Sequence, residues 1–192
     1  MRLRNPRIVL LIGLLASAAV RADDKPAAAR AQTERPFNAF NRMAYGFVKK
    51  MILASAEKMP EESYGFRPAD SVRTFGQVLG HVADSQYYFC SVALGEKNPA
   101  KAVEKTKTSK ADLLAALKDA FGYCDKAYDG MTPATGAETV KLFGTQDLPK
   151  AEVLTTNAMH AVEHYGNLVV YLRIKGLVPP SSEQGSAPDA KK

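Results

Sequence analysis

Fifteen mostly polar residues, Gly95 to Ser109, separate the second and third helical stretches of this chain. Connections between neighbouring bundle helices usually take ~2–8 residues. At ~3.3 Å per residue this one reaches about 50 Å, more than the ~30 Å length of a helix of about twenty residues. It therefore predicts a crossover that carries the chain back to the far end, setting two consecutive helices parallel.

Four segments carry apolar residues at the three-and-four spacing of a helix face. The first begins near Pro36, presents Phe37, Phe40, Ala44, Phe47, Val48, Met51, Ile52 and Ser55, and stops before Pro60. A loop punctuated by Pro and Gly follows, Pro60 to Pro68. The second takes Asp70 or Ser71 as its N-cap and runs through Val72, Phe75, Val78, Leu79, Val82, Tyr87, Phe89 and Val92 to Gly95, a residue suited to closing a helix. Ser109 caps the third, with Asp112 as a capping-box partner, and Asp129-Gly130 ends it. Residues 130–148 carry no hairpin signature; the short stretch Glu138 to Phe143 reads as either extended or a turn of helix. The fourth starts near Pro149 with Asp147 as cap and runs to Lys175, where Gly176 and Pro179-Pro180 stop it. The expected fold class is all-α, a four-helix bundle over residues 36–180.

The ends read differently. Arg2, Arg4 and Arg7 precede an apolar run, Ile8 to Val20, too short for a stable membrane span. Val20-Arg-Ala22 then supplies small residues at the −3 and −1 positions of a cleavage site. Residues 1–22 are thus expected to be a secretory signal peptide; an uncleaved anchor is the alternative. Residues 23–35 read as a flexible leader and 181–192 as a disordered tail. Residues 1–22 hold four of the 26 Lys+Arg and none of the 20 Asp+Glu, so the remainder has 22 basic and 20 acidic residues, a net charge of +2. No basic run with interleaved aromatics remains, which argues against a nucleic-acid partner. No second apolar stretch of ~18 residues follows, so no membrane association is expected after cleavage. The expected location is periplasmic or secreted.

Cys90 and Cys124 both lie beyond the signal segment, deep in the second and third helices. Antiparallel neighbours would hold them far apart. Parallel ones would put both near the same end, within the ~7 Å that a bridge needs between Cα atoms. Export favours a disulfide; two buried thiols are the other reading.

The chain has three histidines. His160 and His164 are four apart on the fourth helix, on one face and about 5–6 Å apart at Cβ. Such a pair can grip one metal ion, as in H-E-x-x-H, although here Ala-Val-Glu separates them and the metalloprotease base is missing. His81 lies on the second helix and shares a face with Gln77, Ser85, Tyr88 and Val92, with Asp84 at its edge. If His81 faces the pair, all three imidazoles meet.

Three stretches together resemble the DinB-like (DinB/YfiT) family of metal-dependent enzymes: the loop Met59-Pro-Glu-Glu-Ser-Tyr-Gly-Phe-Arg-Pro68, the segment Phe75-Gly-Gln-Val-Leu-Gly-His81-Val-Ala-Asp-Ser-Gln-Tyr-Tyr88, and His160-Ala-Val-Glu-His164-Tyr-Gly-Asn-Leu168. The resemblance covers about residues 36–178. It implies an up-down-down-up bundle and a site of His81, His160 and His164. Members of that family include metal-dependent thiol transferases and a maleylpyruvate isomerase.

A set of three imidazoles suits zinc first, on availability, and nickel as the alternative. It leaves a coordination position for water or substrate. Asp84, Asn157 and Glu163 are the candidates to fix the histidine tautomers, and Tyr88 is placed to line the open side. The expected function is a metal-dependent hydrolase or transferase acting on a small molecule; the alternative is a non-catalytic metal-binding or structural bundle. A Ser-His-Asp triad has no support. Export argues against thiol transfer, whose low-molecular-weight cofactors are chiefly cytosolic. A homodimer is left open.

Overall fold

The computed structural model describes residues 27–99 and 101–183, with side chains from residue 39 onward. Residues 1–22 of the expected signal peptide and 184–192 of the tail lie outside this range.

Four long helices form the body: α1 (Ala27–Lys58), α2 (Phe75–Leu94), α4 (Lys110–Asp129) and α6 (Lys150–Ile174). Three short ones, α3 (Val103–Thr106), α5 (Pro133–Gly136) and α7 (Pro180–Glu183), sit in the connections. Side-chain pairings fix the directions. On α1, Tyr45 bonds the Phe121 carbonyl of α4 at 2.8 Å, while Lys110 at the start of α4 reaches the Met59 carbonyl just past the end of α1 at 2.7 Å. Those two helices are antiparallel. Asn41 near the start of the described α1 side chains bonds Thr155 of α6 at 2.8 Å, and Lys58 at its end bonds the Val178 carbonyl at 3.1 Å. Those two are parallel. α2 and α4 touch at their starts, through Gly76 and Leu113, and near their ends, through Cys90 and Cys124, so they are parallel too. The result is an up-down-down-up bundle, made possible by the crossover at residues 95–109.

The termini of the helices correct several expectations. α1 begins at Ala27, not at Pro36, inside the segment read as a leader. The alanines at 27, 28, 29 and 31 favour helix, a propensity that reading the stretch as a small, polar linker overlooked. Its buried stripe is Tyr45, Val48, Met51, Ile52 and Ala56; Phe40 and Phe47 lie on the flank, 62% and 50% exposed. α2 starts at Phe75, capped by Thr74 in a reciprocal box with Gln77, rather than by Asp70 or Ser71. The Pro60–Pro68 loop lies across this end and supplies partners: the N–H groups of Phe75 and Gly76 donate to the carbonyls of Phe66 and Tyr64. Asp70 instead pairs with Arg67 at 3.2 Å. Gly95, in the left-handed region at φ 72°, closes α2 as expected.

Ser109 caps α4 by accepting the Asp112 N–H. The segment after α4 holds a hairpin that its sequence does not announce: β1 (Thr139–Leu142) pairs antiparallel with β2 (Gln146–Pro149), Val140 opposite Leu148. Its turn places Phe143 and Gly144 at φ 51° and 73°. Asn-Gly or Asp-Gly usually mark such a turn; here Phe-Gly does. Asp147 sits on β2 and pairs with Lys141 at 2.8 Å. α6 therefore starts after Pro149 with no side-chain cap. α7 continues the ordered chain past Pro179, so its end folds back on the bundle, where Ser181 bonds Tyr165 at 2.7 Å and Glu183 pairs with Lys58.

Phe75, Leu79, Leu113, Leu117, Phe121, Leu154, Leu168 and Leu172 fill the core, all under 3% exposed. Cys90 and Cys124 form a disulfide between α2 and α4, with Cα atoms 5.3 Å apart. No helix among the described residues is long and apolar enough to cross a membrane.

Candidate metal centre

α2 and α6 run antiparallel, which brings His81, one and a half turns into α2, opposite the middle of α6. The Nε2 of His81 lies 3.3 Å from that of His160, and the Nε2 of His164 lies 3.1 Å from the same atom. All three ligand atoms fall within 4.8 Å of one another. Two zinc–nitrogen bonds of ~2.0–2.1 Å at a tetrahedral angle hold their nitrogens ~3.3 Å apart. The donor separations fit a single divalent ion, and imidazole is a donor suited to it. His164 is buried, His81 and His160 half-buried.

The site favours uncharged imidazoles, the form that binds metal. Burial lowers the His164 pKa to about 4, with His160 and His81 adding to the effect. Burial also lowers the values of His160 and His81, assisted by His81 in the first case and by Arg73 in the second.

The second nitrogens have partners that were not anticipated. His81 Nδ1 lies 3.3 Å from Glu104, a residue of α3 in the polar crossover. His164 Nδ1 lies 3.3 Å from the side-chain amide of Asn167. The expected candidates are placed elsewhere. Asp84 spends both carboxylate oxygens on the backbone N–H groups of Val103 and Glu104, at 2.8 and 3.0 Å. Asn157 is buried between α2 and α4, donating to Gln86 at 2.9 Å and Tyr128 at 3.2 Å. Its position three residues before His160 turns it toward the disulfide rather than the cluster. Glu163 is exposed and acts on His160 only through its charge. Tyr88 accepts the Phe143 N–H at 2.7 Å and stacks on that ring, anchoring the hairpin rather than lining the site. Asn167 was within reach of sequence reasoning, since it stands three residues from His164 as Asp84 does from His81. Glu104, in the polar crossover, carried no local signal.

A cavity of about 650 Å³ opens beside His164. Arg73, Gln77, Asn167, Val170 and Tyr171 line it together with Glu104. Tyr171 donates to the Arg73 carbonyl at 2.5 Å, fixing the chain just ahead of α2 against α6. The size is that of an ordinary small-molecule site.

The family model described as the DinB superfamily matches residues 44–168. The chain belongs to the DinB superfamily. Its fold is similar to that of a DinB-like protein from Bacillus cereus ATCC 10987, with a TM-score of 0.63 and 18% identity over 72% of this chain and 92% of the other. A second DinB-like protein, YjoA from Bacillus subtilis, superposes with a TM-score of 0.58 and 21% identity over 71% and 91% of the two chains. No curated protein matches the chain. The three histidines of this DinB-like chain fall within the matched region.

Proposed function

We propose that this DinB-like protein is an exported metal-dependent enzyme, a hydrolase or transferase acting on a small molecule at a centre of His81, His160 and His164. One observation carries the reading: three neutral imidazoles turn the same nitrogen toward one point, next to a cavity of about 650 Å³. Zinc is the expected ion, with nickel the alternative. Such an ion, when bound, supplies a water of lowered pKa and a Lewis acid for a carbonyl. The chain's own contribution is to hold the imidazoles uncharged, to orient His81 through Glu104, and to present Arg73 and Gln77 along the cavity wall.

Export rests on the signal-like residues 1–22 and is supported by the Cys90–Cys124 disulfide, since such bridges persist in oxidising compartments. A specific observation favours a second, non-catalytic reading. Among the described residues, the one carboxylate within ion-pair distance of a histidine, Glu104, is already engaged by Arg73 at 2.9 Å, so none of them offers an uncommitted acid or base at the cluster.

Elemental analysis of the purified protein tests the centre. About one divalent ion per chain is expected, and His164→Ala should remove it; equal metal in both would exclude the site. A panel of esters, amides and thiol conjugates then separates the two readings. Turnover by the loaded protein that the His164→Ala variant lacks supports the enzyme. Equal silence of both supports a metal-binding bundle.

A further inference from the structure

The three imidazoles are not equally provided for at their second nitrogens. His81 Nδ1 has Glu104 and His164 Nδ1 has Asn167, whereas His160 Nδ1 is buried with no hydrogen-bond partner among the described residues. A neutral imidazole carries one proton, and the hydrogen bond made by one nitrogen decides where it sits. The three Nε2 atoms face one another. They cannot all bear protons, because none would then offer a lone pair to its neighbours.

Glu104 is delivered to His81 by two residues that flank it on α2. Asp84 accepts the N–H groups of Val103 and Glu104 and so holds the start of α3. Gly80 lets the α3 backbone lie directly on α2: a Cβ there would stand 2.6 Å from the Glu104 Cα and 2.8 Å from its N. Val103 is buried beneath this turn, and Ala102 adopts φ 51° to start it. Arg73 Nε donates to the second Glu104 oxygen at 2.9 Å and so helps to hold the carboxylate in place.

We propose that Glu104 is the positioning residue of the centre: it accepts the Nδ1 proton of His81, so that the His81 Nε2 lone pair faces His160 and His164. Arg73 Nη2 makes a competing approach to the same Nδ1 at 3.4 Å. A bond donated by Arg73 would place the proton on Nε2 instead. The guanidinium is already paired with Glu104 at 2.9 Å, and the Glu104 oxygen lies nearer to Nδ1 than Arg73 Nη2 does, at 3.3 against 3.4 Å, so the Glu104 bond prevails. His160, without a partner at Nδ1, keeps its proton on Nε2 in the metal-free protein and donates it to a neighbour. The consequence for metal affinity rests on the proposed centre; the placement of the His81 proton does not.

Imidazole nitrogen NMR on ¹⁵N-labelled, metal-free protein at about pH 8, above the ordinary histidine range, reads the proton directly. The expected result is His81 protonated on Nδ1 in the wild type and on Nε2 in Glu104→Ala. Zinc titration against a chromogenic chelator should show affinity weakened about 10- to 100-fold in Glu104→Ala. Glu104→Gln, which retains an acceptor oxygen without the charge, should keep the proton on Nδ1 and lose less affinity; it also serves should the alanine variant fail to fold. Unchanged circular dichroism and melting of the metal-free variants separate this role from a structural one. A wild-type proton on His81 Nε2, or a Glu104→Ala variant with the wild-type tautomer and affinity within about twofold, overturns the proposal. Wild-type protein that binds no zinc yet holds His81 protonated on Nδ1 removes the metal reading and leaves the positioning role supported.

Discussion

The backbone of Glu104 rests on Gly80, two atoms of the one within 3 Å of where a side chain on the other would begin. The contact is backbone against backbone, so no rotamer change can relieve it. Gly80→Ala should destabilise the fold by about 1–3 kcal/mol, the usual range for overpacking, or push α3 away from α2. Gly122→Ala on the exposed face of α4 is the control, since a Cβ there meets nothing within 4 Å. That change should add about 0.5–1 kcal/mol through helix propensity. Urea denaturation of the two variants measures both signs, and equal stability would mean that the approach is looser than described.

The disulfide joins helices that the crossover makes parallel and closes a loop of 34 residues. In the chain-entropy model that constraint contributes ~3–4 kcal/mol. The paired variant Cys90→Ala/Cys124→Ala should be less stable by that amount in urea denaturation, and a reductant should bring the wild type to the same value. Peptide mapping without reduction should recover a Cys90–Cys124 peptide. Two alkylatable thiols in protein from the export compartment would remove the bridge.

Metal-free protein should lose stability as pH falls below the ordinary histidine value. Above 6.5, His164 is neutral in both folded and unfolded chains and contributes no pH dependence. Below it, the unfolded chain takes up a proton that the buried His164 resists until about pH 4. The unfolded state then binds more protons, so unfolding becomes easier as pH falls through that window. Melting temperatures between pH 8 and 4 should decline, and His164→Gln should flatten part of the decline. A His164→Gln curve parallel to the wild type would show that this residue is not the group responsible.

Much of this is legible in the sequence. The apolar spacing of the four helices, the Ser109 cap and the Gly95 stop are local patterns, and the crossover follows from length alone. The convergence of His81 on the His160/His164 pair needed the packing of the second helix against the fourth, which spacing alone left open and only the resemblance to the DinB-like family implied. What escaped was non-local. Thr74 outcompetes Asp70 and Ser71 as the α2 cap because the Pro60–Pro68 loop lies across that end and because Gln77 completes its box. The hairpin was hidden because Phe143 occupies a left-handed position usually given to Asn or Gly. Glu104 sat in a stretch that looked solvated; the Asp84 carboxylate, folded against the backbone of α3, and the close approach at Gly80 turn it inward.

Tyr88 provides the last test, because sequence spacing put it beside the histidines and the structure ties it to the hairpin. Its hydroxyl accepts the Phe143 N–H at 2.7 Å, and the two rings stack with centroids 5.4 Å apart. Tyr88→Phe keeps the stacking and removes the hydroxyl, leaving the Phe143 N–H to solvent. The loss should be about 0.5–1.5 kcal/mol, the net contribution of one hydrogen bond, with faster amide exchange confined to the hairpin. Zinc affinity should stay within about twofold, since the Tyr88 ring and hydroxyl are engaged by Phe89 and Phe143 and the ring beside the imidazoles is Phe89, 5.6 Å from His160. A variant that keeps its stability but binds zinc tenfold more weakly would return Tyr88 to the centre and reverse this placement.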